Sequence, residues 1–103
     1  MGYRIIITDE ANGQVDDIID YVVNVLKNLT AAHAIIDDIE LAYKRIESSA
    51  EAFAYCEDSY LAAKEYRKLA LDNHDYVIIY RVEEDLAYVV GVFHMMQDYV
   101  SKL

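Results

Sequence analysis

The sequence predicts an α+β domain in which a helical hairpin packs on one face of an antiparallel sheet. Three features of the chain predict it: a short β-branched run near the start, two consecutive segments with apolar residues at helical spacing, and three apolar runs separated by short polar turns. The predicted order is β-α-α-β-β-β, with the last three strands forming a sheet that the N-terminal strand joins. The sheet face away from the helices is expected to be exposed and available to a partner.

The first strand is predicted over residues 3–7, which are mostly β-branched and apolar. Thr8 or Asp9 offers an N-cap to the first helix, whose apolar residues recur every three or four positions over residues 15–29. Thr30 offers a cap to a second helix with an apolar stripe over residues 32–46. Because few residues separate the two helices, we expect an antiparallel hairpin.

The remainder of the chain changes to the period of strands. Residues 66–71, 76–82 and 86–93 are the three strand candidates, and the polar stretches between them predict two successive antiparallel hairpins. Residues 48–63 are expected to form a loop with a short helical turn, and residues 97–103 a short C-terminal tail. With 103 residues, the chain is expected to form a single domain over residues 1–103.

The charge of the chain is strongly negative. Nine Lys and Arg residues stand against 19 Asp and Glu residues, which gives a formal net charge of −10 at pH 7. Direct nucleic-acid binding is disfavoured because it depends on neutralising phosphates, and anionic membranes are disfavoured for the same reason. We therefore expect a protein partner. The chain has a single cysteine, Cys56, and lacks a long apolar run, and both features favour a cytoplasmic location.

Five segments, taken in order, resemble the RelE/ParE superfamily of toxins from bacterial type II toxin–antitoxin modules. They are residues 3–11, 15–21, 61–69, 75–82 and 97–99, so the resemblance covers nearly the whole chain. It is greatest to the ParE-type and plasmid-stabilisation members. The resemblance implies a toxin that a cognate antitoxin protein neutralises by wrapping it, usually with a helix and an added strand. ParE-type members further imply inhibition of DNA gyrase by surface recognition, without a cofactor.

Toxins of this superfamily are commonly basic and their antitoxins acidic, whereas this chain is acidic. We therefore expect a neutral or basic antitoxin segment, or mainly apolar docking. The sequence leaves a homodimer open.

An alternative function follows from the RelE-type members, which cut mRNA on the ribosome without a metal. On this chain the resemblance implies His94 as base or acid, Arg67 and Arg81 as phosphate stabilisers, and Tyr99 as an orienting hydroxyl. Whether the chain is an enzyme stays open at this point. A degenerate, non-toxic interaction module is the third hypothesis.

Two departures from the ribonuclease pattern favour the gyrase-type interpretation. The third strand begins with Tyr76-Val77 where the superfamily often has Tyr-Arg. Met95-Met96 follows the last strand, where ribonuclease members place an arginine or lysine. The cationic residues that hold the phosphate in ribonuclease members are thus absent at these two places.

The remaining charged residues have ordinary structural interpretations. Arg67 and Lys68 are neighbours on one strand, so their side chains are expected on opposite sheet faces unless a bulge intervenes. Asp37 and Asp38 are expected on a solvated helix face, and His74 in a solvated turn. No pair of histidines has the spacing of metal ligands, so neither a metal site nor a cofactor is expected.

Overall fold

Four strands form one mixed sheet in the computed structural model, which describes residues 2–103. They are β1 (Arg4–Ile7), β2 (Arg67–Ala70), β3 (Tyr76–Glu83) and β4 (Leu86–His94). The spatial order is β1-β4-β3-β2, with β1 parallel to β4 and the other neighbours antiparallel. The predicted α+β fold, with the N-terminal strand joined to the last three, is confirmed.

Two helices between β1 and β2 form the predicted hairpin. Thr8 is the N-cap of helix α1 (Asp9–Asp20), and its hydroxyl accepts a hydrogen bond from the Ala11 amide at 3.2 Å. Helix α2 (Leu29–Ser49) is longer and presents Ile35, Ile39 and Ile46 to the sheet. The i, i+4 and i+11 spacing keeps these three side chains on one helix face.

The turn between the helices differs from the prediction. Helix α1 ends at Asp20 and continues as a π-helical turn over Tyr21–Val25, instead of running unbroken to Leu29. Lys27 then adopts a left-handed conformation with φ of 54°, which ends the helical path. The N-cap of α2 is Asn28, not Thr30, because the Asn28 side chain accepts from the Ala31 amide at 3.0 Å.

The segment after α2 contains two short helical turns, where one was expected. A 3₁₀ turn covers Ala50–Ala52, and a one-turn helix, α3, covers Ser59–Ala63. Asp58 caps α3 by accepting from the Leu61 amide at 3.1 Å. The C-terminal tail ends in another 3₁₀ turn, Val100–Lys102.

Both faces of the sheet carry a core, which corrects the expectation of one exposed face. The larger, helix-side core joins α1 and α2 to inward residues of the sheet such as Ile78, Tyr80 and Val89. The smaller, far-side core contains Cys56, Leu61, Val77, Ile79 and Phe93, all less than 5% exposed. Segments outside the predicted helices cover it, namely the stretch around α3 and the C-terminal tail.

Strand β4 contains a β-bulge close to its hydrogen bond with α1. Ile79 pairs with Gly91 but Tyr80 pairs with Val89, so Val90 is the extra residue. A Cβ atom at Gly91 would lie 2.2 Å from the Phe93 ring, which explains the glycine. Beyond the end of β1, the Gln14 side chain of α1 accepts from the Val92 amide at 2.8 Å.

Candidate functional site

His94 ends β4 and lies in a groove between α1 and the sheet. The groove has a volume of about 280 Å³ and also contains Asp17, Tyr21 and Tyr76. The Tyr76 ring meets the imidazole edge to face, with centroids 5.4 Å apart. The Met96 amide donates to His94 Nδ1 at 3.1 Å, so the neutral ring carries its proton on Nε2. Among the described residues that line this groove, none is a lysine or arginine.

Arg67 is held by the segment that follows α2. Its guanidinium donates to the carbonyl oxygens of Phe53 at 2.6 Å and Glu51 at 3.2 Å, and to the Tyr55 hydroxyl at 3.0 Å. It also lies 4.1 Å from the centre of the Tyr55 ring. Glu65 and Glu84 line the same recess. These contacts fix the segment against the edge of the sheet and surround the arginine with acidic groups.

Lys68 and Arg81 are also engaged in ion pairs. Lys68 Nζ lies 2.7 Å from Glu57 Oε1, and Arg81 pairs with Glu83 at 3.3 Å. The hydrogen bond between Lys68 and Glu57 raises the pKa of the lysine and lowers that of the glutamate. Strand alternation puts Lys68 opposite to Arg67, so the three cations do not form one patch.

Tyr99 packs on the far side of the sheet from His94. Its ring stacks on Phe93 with centroids 5.4 Å apart and an interplanar angle of 17°. It lines a small recess of about 170 Å³ together with Lys68, Val77 and Met95. Because Phe93 and His94 are consecutive strand residues, their side chains leave opposite faces of the sheet.

The four ribonuclease candidates therefore do not meet in one cavity. His94 pairs across the sheet with Tyr76, whereas Arg67 pairs with Tyr80. Four residues along a strand correspond to roughly 13 Å. General acid–base chemistry requires the reacting groups to lie within hydrogen-bond reach of one substrate, and this arrangement does not offer that.

Asp38 and His74 form a partly buried contact that the sequence does not predict. Asp38 is only 5% exposed, and its carboxylate lies 2.8 Å from His74 Nδ1 and accepts from the Asn73 amide at 3.0 Å. Burial opposes ionisation of Asp38, but these hydrogen bonds together outweigh it and lower its pKa. The expectation of a solvated Asp38 was wrong. His74 lies in a turn, as expected, but its side chain is only 24% exposed because it contacts Asp38, and the pair links α2 to the β2–β3 turn.

Within residues 2–103, no three His, Cys, Asp or Glu side chains are arranged to hold a metal ion. In the same part of the chain, the helices are either too short or too polar to cross a bilayer.

Comparison with known proteins identifies the family. The family model described as "ParE toxin of type II toxin-antitoxin system, parDE" matches residues 5–99. The chain belongs to the ParE toxin family. This confirms the predicted resemblance to the RelE/ParE superfamily and its ParE-type members, and with it the assignment as a type II toxin.

Solved structures show the same fold for this ParE-family chain. A structure of the chromosomal ParDE toxin–antitoxin system from P. aeruginosa matches with a TM-score of 0.73 and 21% sequence identity. The match covers 89% of this chain and 95% of that one. No curated protein sequence matches the chain.

Most of the side chains that are large, apolar and more than half exposed in this ParE-family domain lie on the hairpin and after β4, and Tyr60 of α3 is a further one. Tyr21, Val25, Leu26 and Leu29 are each more than half exposed and lie together around the π-helical turn. We call these four residues the hairpin tip. Met96, beside the His94 groove, is 88% exposed. Clustered exposed apolar residues of this kind mark protein-interaction surfaces in soluble domains.

Proposed function

We propose that this chain is a ParE-type toxin that acts by surface recognition of DNA gyrase and is neutralised by a cognate antitoxin. The observation that carries the proposal is the separation of His94, Arg67, Arg81 and Tyr99. Arg67 and Arg81 are bound by groups of the chain itself, and His94 and Tyr99 lie on opposite sheet faces. An inhibitor that acts by binding does not need these four residues to lie together in one site. Both proposed partners place its action in the cytoplasm.

The hairpin tip offers a recognition surface of suitable character. It consists of one tyrosine and three aliphatic residues that are close together in the chain and each more than half exposed, and tyrosine is among the residue types that contribute most to binding energy at protein interfaces. The net charge of −10 makes a DNA-contacting mode of inhibition unfavourable. Recognition of a protein surface on gyrase is therefore the mode that we propose.

The test uses the full chain and purified gyrase. We expect the chain to inhibit supercoiling of a relaxed plasmid, and the product of the adjacent reading frame to restore it. His94→Ala is expected to inhibit as the wild type does, because the imidazole has no chemical role in this proposal. Cleavage of ribosome-bound mRNA that His94→Ala abolishes would instead establish the ribonuclease. Inactivity in both assays and unaffected growth would indicate the non-toxic interaction module.

A matched pair of variants tests the recognition surface. Leu26 and Leu41 are 55% and 47% exposed, so an aspartate at either position disturbs the core little. Leu26→Asp is expected to weaken gyrase inhibition about tenfold, the usual effect of removing one apolar anchor residue. Leu41→Asp lies outside the hairpin tip and is expected to inhibit as the wild type does. Equal inhibition by both variants would exclude the tip as the recognition surface.

A further inference from the structure

We infer that the His94 groove holds an arginine side chain of the gyrase surface that the hairpin tip recognises. The inference rests on the proposed function, which supplies gyrase as the partner, and it adds a pocket and the chemistry of the group that enters it. The groove has a volume of about 280 Å³ and borders the tip, because Tyr21 belongs to both. Pockets for whole small molecules measure roughly 300–1,000 Å³, so this one suits a single side chain.

Two phenol rings line the groove beside His94. Tyr76 begins β3 and pairs across the sheet with His94, and the two rings stand nearly perpendicular, with an interplanar angle of 85°. Tyr21 lines the groove from the π-helical turn and is 52% exposed. Burial raises the pKa of Tyr76, and the neighbouring Asp75 and Tyr21 raise it further. The two phenols thus lie close together, and the π face of such a ring attracts a cation.

Asp17 supplies a negative charge to the same groove. The Tyr21 amide donates to the Asp17 carbonyl oxygen, so the two residues are one turn apart and their side chains share a helix face. Among residues 2–103, the carboxylate of Asp17 makes no ion pair. The chain also has no lysine or arginine between Asp9 and Leu26. The charge is therefore available to a cation from another molecule.

An arginine side chain matches these groups better than a lysine does. Its planar guanidinium stacks on aromatic rings and donates two parallel hydrogen bonds to a carboxylate, whereas the lysine ammonium is a compact, strongly hydrated charge. Ile18 and Val92 add apolar surface to the lining, against which the arginine methylenes can pack. The net charge of −10 attracts cationic groups and repels anionic ones.

The position of the groove favours a side chain of a bound protein over a free guanidinium compound. One carboxylate and two ring faces hold a free cation only weakly, with a dissociation constant on the order of millimolar. An arginine on a surface that is already bound to the hairpin tip is presented at a much higher effective concentration. The tip and the groove thus form one recognition surface with an apolar part and an electrostatic part.

The first test compares two single variants of the full chain in the gyrase supercoiling assay. Asp17→Asn removes the charge of the groove, whereas Asp16→Asn makes the same change in net charge at the next residue, which lines a different groove. Asp17→Asn is expected to weaken inhibition about tenfold because charge-assisted hydrogen bonds are lost. Asp16→Asn is expected to inhibit within about twofold of the wild type, since an exposed charge contributes little. Equal losses would overturn the inference by showing attraction to net charge alone.

Variants of the rings test the stacking contact. Tyr76→Leu removes the ring and is expected to weaken inhibition about fivefold, whereas Tyr76→Phe keeps it and is expected to inhibit within about twofold of the wild type. His94→Lys places a competing ammonium group in the groove and is expected to weaken inhibition as Asp17→Asn does. His94→Ala keeps both phenols and Asp17 and therefore inhibits as the wild type does. Circular dichroism confirms that each variant folds, and equal inhibition by the two Tyr76 variants would contradict the stacking contact.

An NMR titration of the full chain measures the chemistry of the groove without gyrase. The probe is N-acetyl-arginine methylamide, and the control is its citrulline counterpart, in which an uncharged ureido group of similar shape replaces the guanidinium. The arginine compound is expected to shift the ring resonances of Tyr21 and Tyr76 with a dissociation constant on the order of millimolar. The citrulline compound is expected to cause no shift, and Asp17→Asn is expected to abolish the shift by the arginine compound. Equal shifts by both compounds would overturn the cation pocket.

The outcomes separate this inference from the proposed function. Gyrase inhibition that Asp17→Asn leaves unchanged would overturn the inference and leave the proposed function intact. Weaker binding of the adjacent reading frame's product by Asp17→Asn, with gyrase inhibition unaffected, would assign the groove to the antitoxin and overturn the inference too. If the wild-type chain does not inhibit gyrase, the proposed function fails, and the titration alone then decides whether the groove binds a guanidinium group.

Discussion

The two faces of the sheet are covered in different ways. On the helix side, α1 and α2 contribute long, regular rows of apolar residues, and the core extends over most of the sheet. On the far side, the core is closed by a one-turn helix and the C-terminal tail. The periodicity of the sequence predicts the helix-side core, whereas the far-side core is closed by short segments that have no periodic pattern. The larger core should therefore hold the fold, and the smaller one should open first.

Ile78 and Ile79 allow a direct comparison of the two cores. They are consecutive residues of β3, each 0% exposed, and Ile78 packs on the helix side whereas Ile79 packs on the far side. We expect Ile78→Ala to lower the free energy of unfolding by about 4 kcal/mol and Ile79→Ala by about 3 kcal/mol. The short segments on the far side can move into the cavity more easily than the paired helices. Urea unfolding measures the free energy of unfolding of both variants. A larger decrease for Ile79→Ala than for Ile78→Ala would contradict the expectation.

The Asp38–His74 contact links α2 to the β2–β3 turn, and its contribution to the free energy of unfolding should depend on pH. Asp38→Asn is expected to lower the free energy of unfolding by about 2 kcal/mol at pH 7, because charge-assisted hydrogen bonds are lost. The pKa of Asp38 is below its ordinary value of 3.8 in the folded chain. Its contribution is therefore complete above that value and disappears as the pH falls through the folded pKa. Urea unfolding from pH 7 to pH 2 should give the wild type and Asp38→Asn similar free energies of unfolding only in acid.

Tyr99 closes the far-side core at the C-terminal end. Tyr99→Ala removes the ring that stacks on Phe93 and is expected to cost about 1.5 kcal/mol. Hydrogen exchange should accelerate mainly in the tail and around α3, and less in α2. Met96→Ala is the control, because an 88% exposed side chain contributes little. A uniform increase in exchange across both faces would mean that the cores do not open separately.

Removing the hydroxyl group from each of two tyrosines that pack in the helix-side core should change the stability of the chain in opposite directions. Burial raises the pKa of Tyr43 to about 12, and in residues 2–103 its buried hydroxyl has no hydrogen-bond partner. Tyr43→Phe is therefore expected to stabilise the chain by about 0.5 kcal/mol. The Tyr80 hydroxyl donates to the Ala50 carbonyl at 2.6 Å, so Tyr80→Phe should destabilise by about 1 kcal/mol. Thermal unfolding of the two variants checks both signs.

The sequence predicts the fold well because each main element has its own periodic pattern. The β-branched run of β1, the apolar rows of the helices, and the apolar runs of β3 and β4 between short polar turns all indicate their structures locally. The end of α1 is not predicted because apolar spacing continues to Leu29 although Lys27 reverses the chain. The far-side core is not predicted because Cys56 and Leu61 lie in a segment without regular spacing.

The candidate site is less accessible to sequence reasoning. The partners of Arg67 are backbone carbonyl oxygens of Glu51 and Phe53, which have no signature in a sequence. The partner of Asp38 lies 36 residues away in a turn, and only the fold brings His74 to it. Strand alternation, by contrast, does predict that Arg67 and Lys68 separate.

The hydrogen bond between Gln14 and the Val92 amide has a consequence for aggregation. Beyond Thr8 the chain leaves the sheet, and the outer edge of β4 would otherwise present an unpaired amide to any extended peptide nearby. A foreign strand that added to this edge would first have to displace the Gln14 carboxamide. One glutamine side chain thereby blocks strand addition along the part of β4 that β1 does not cover.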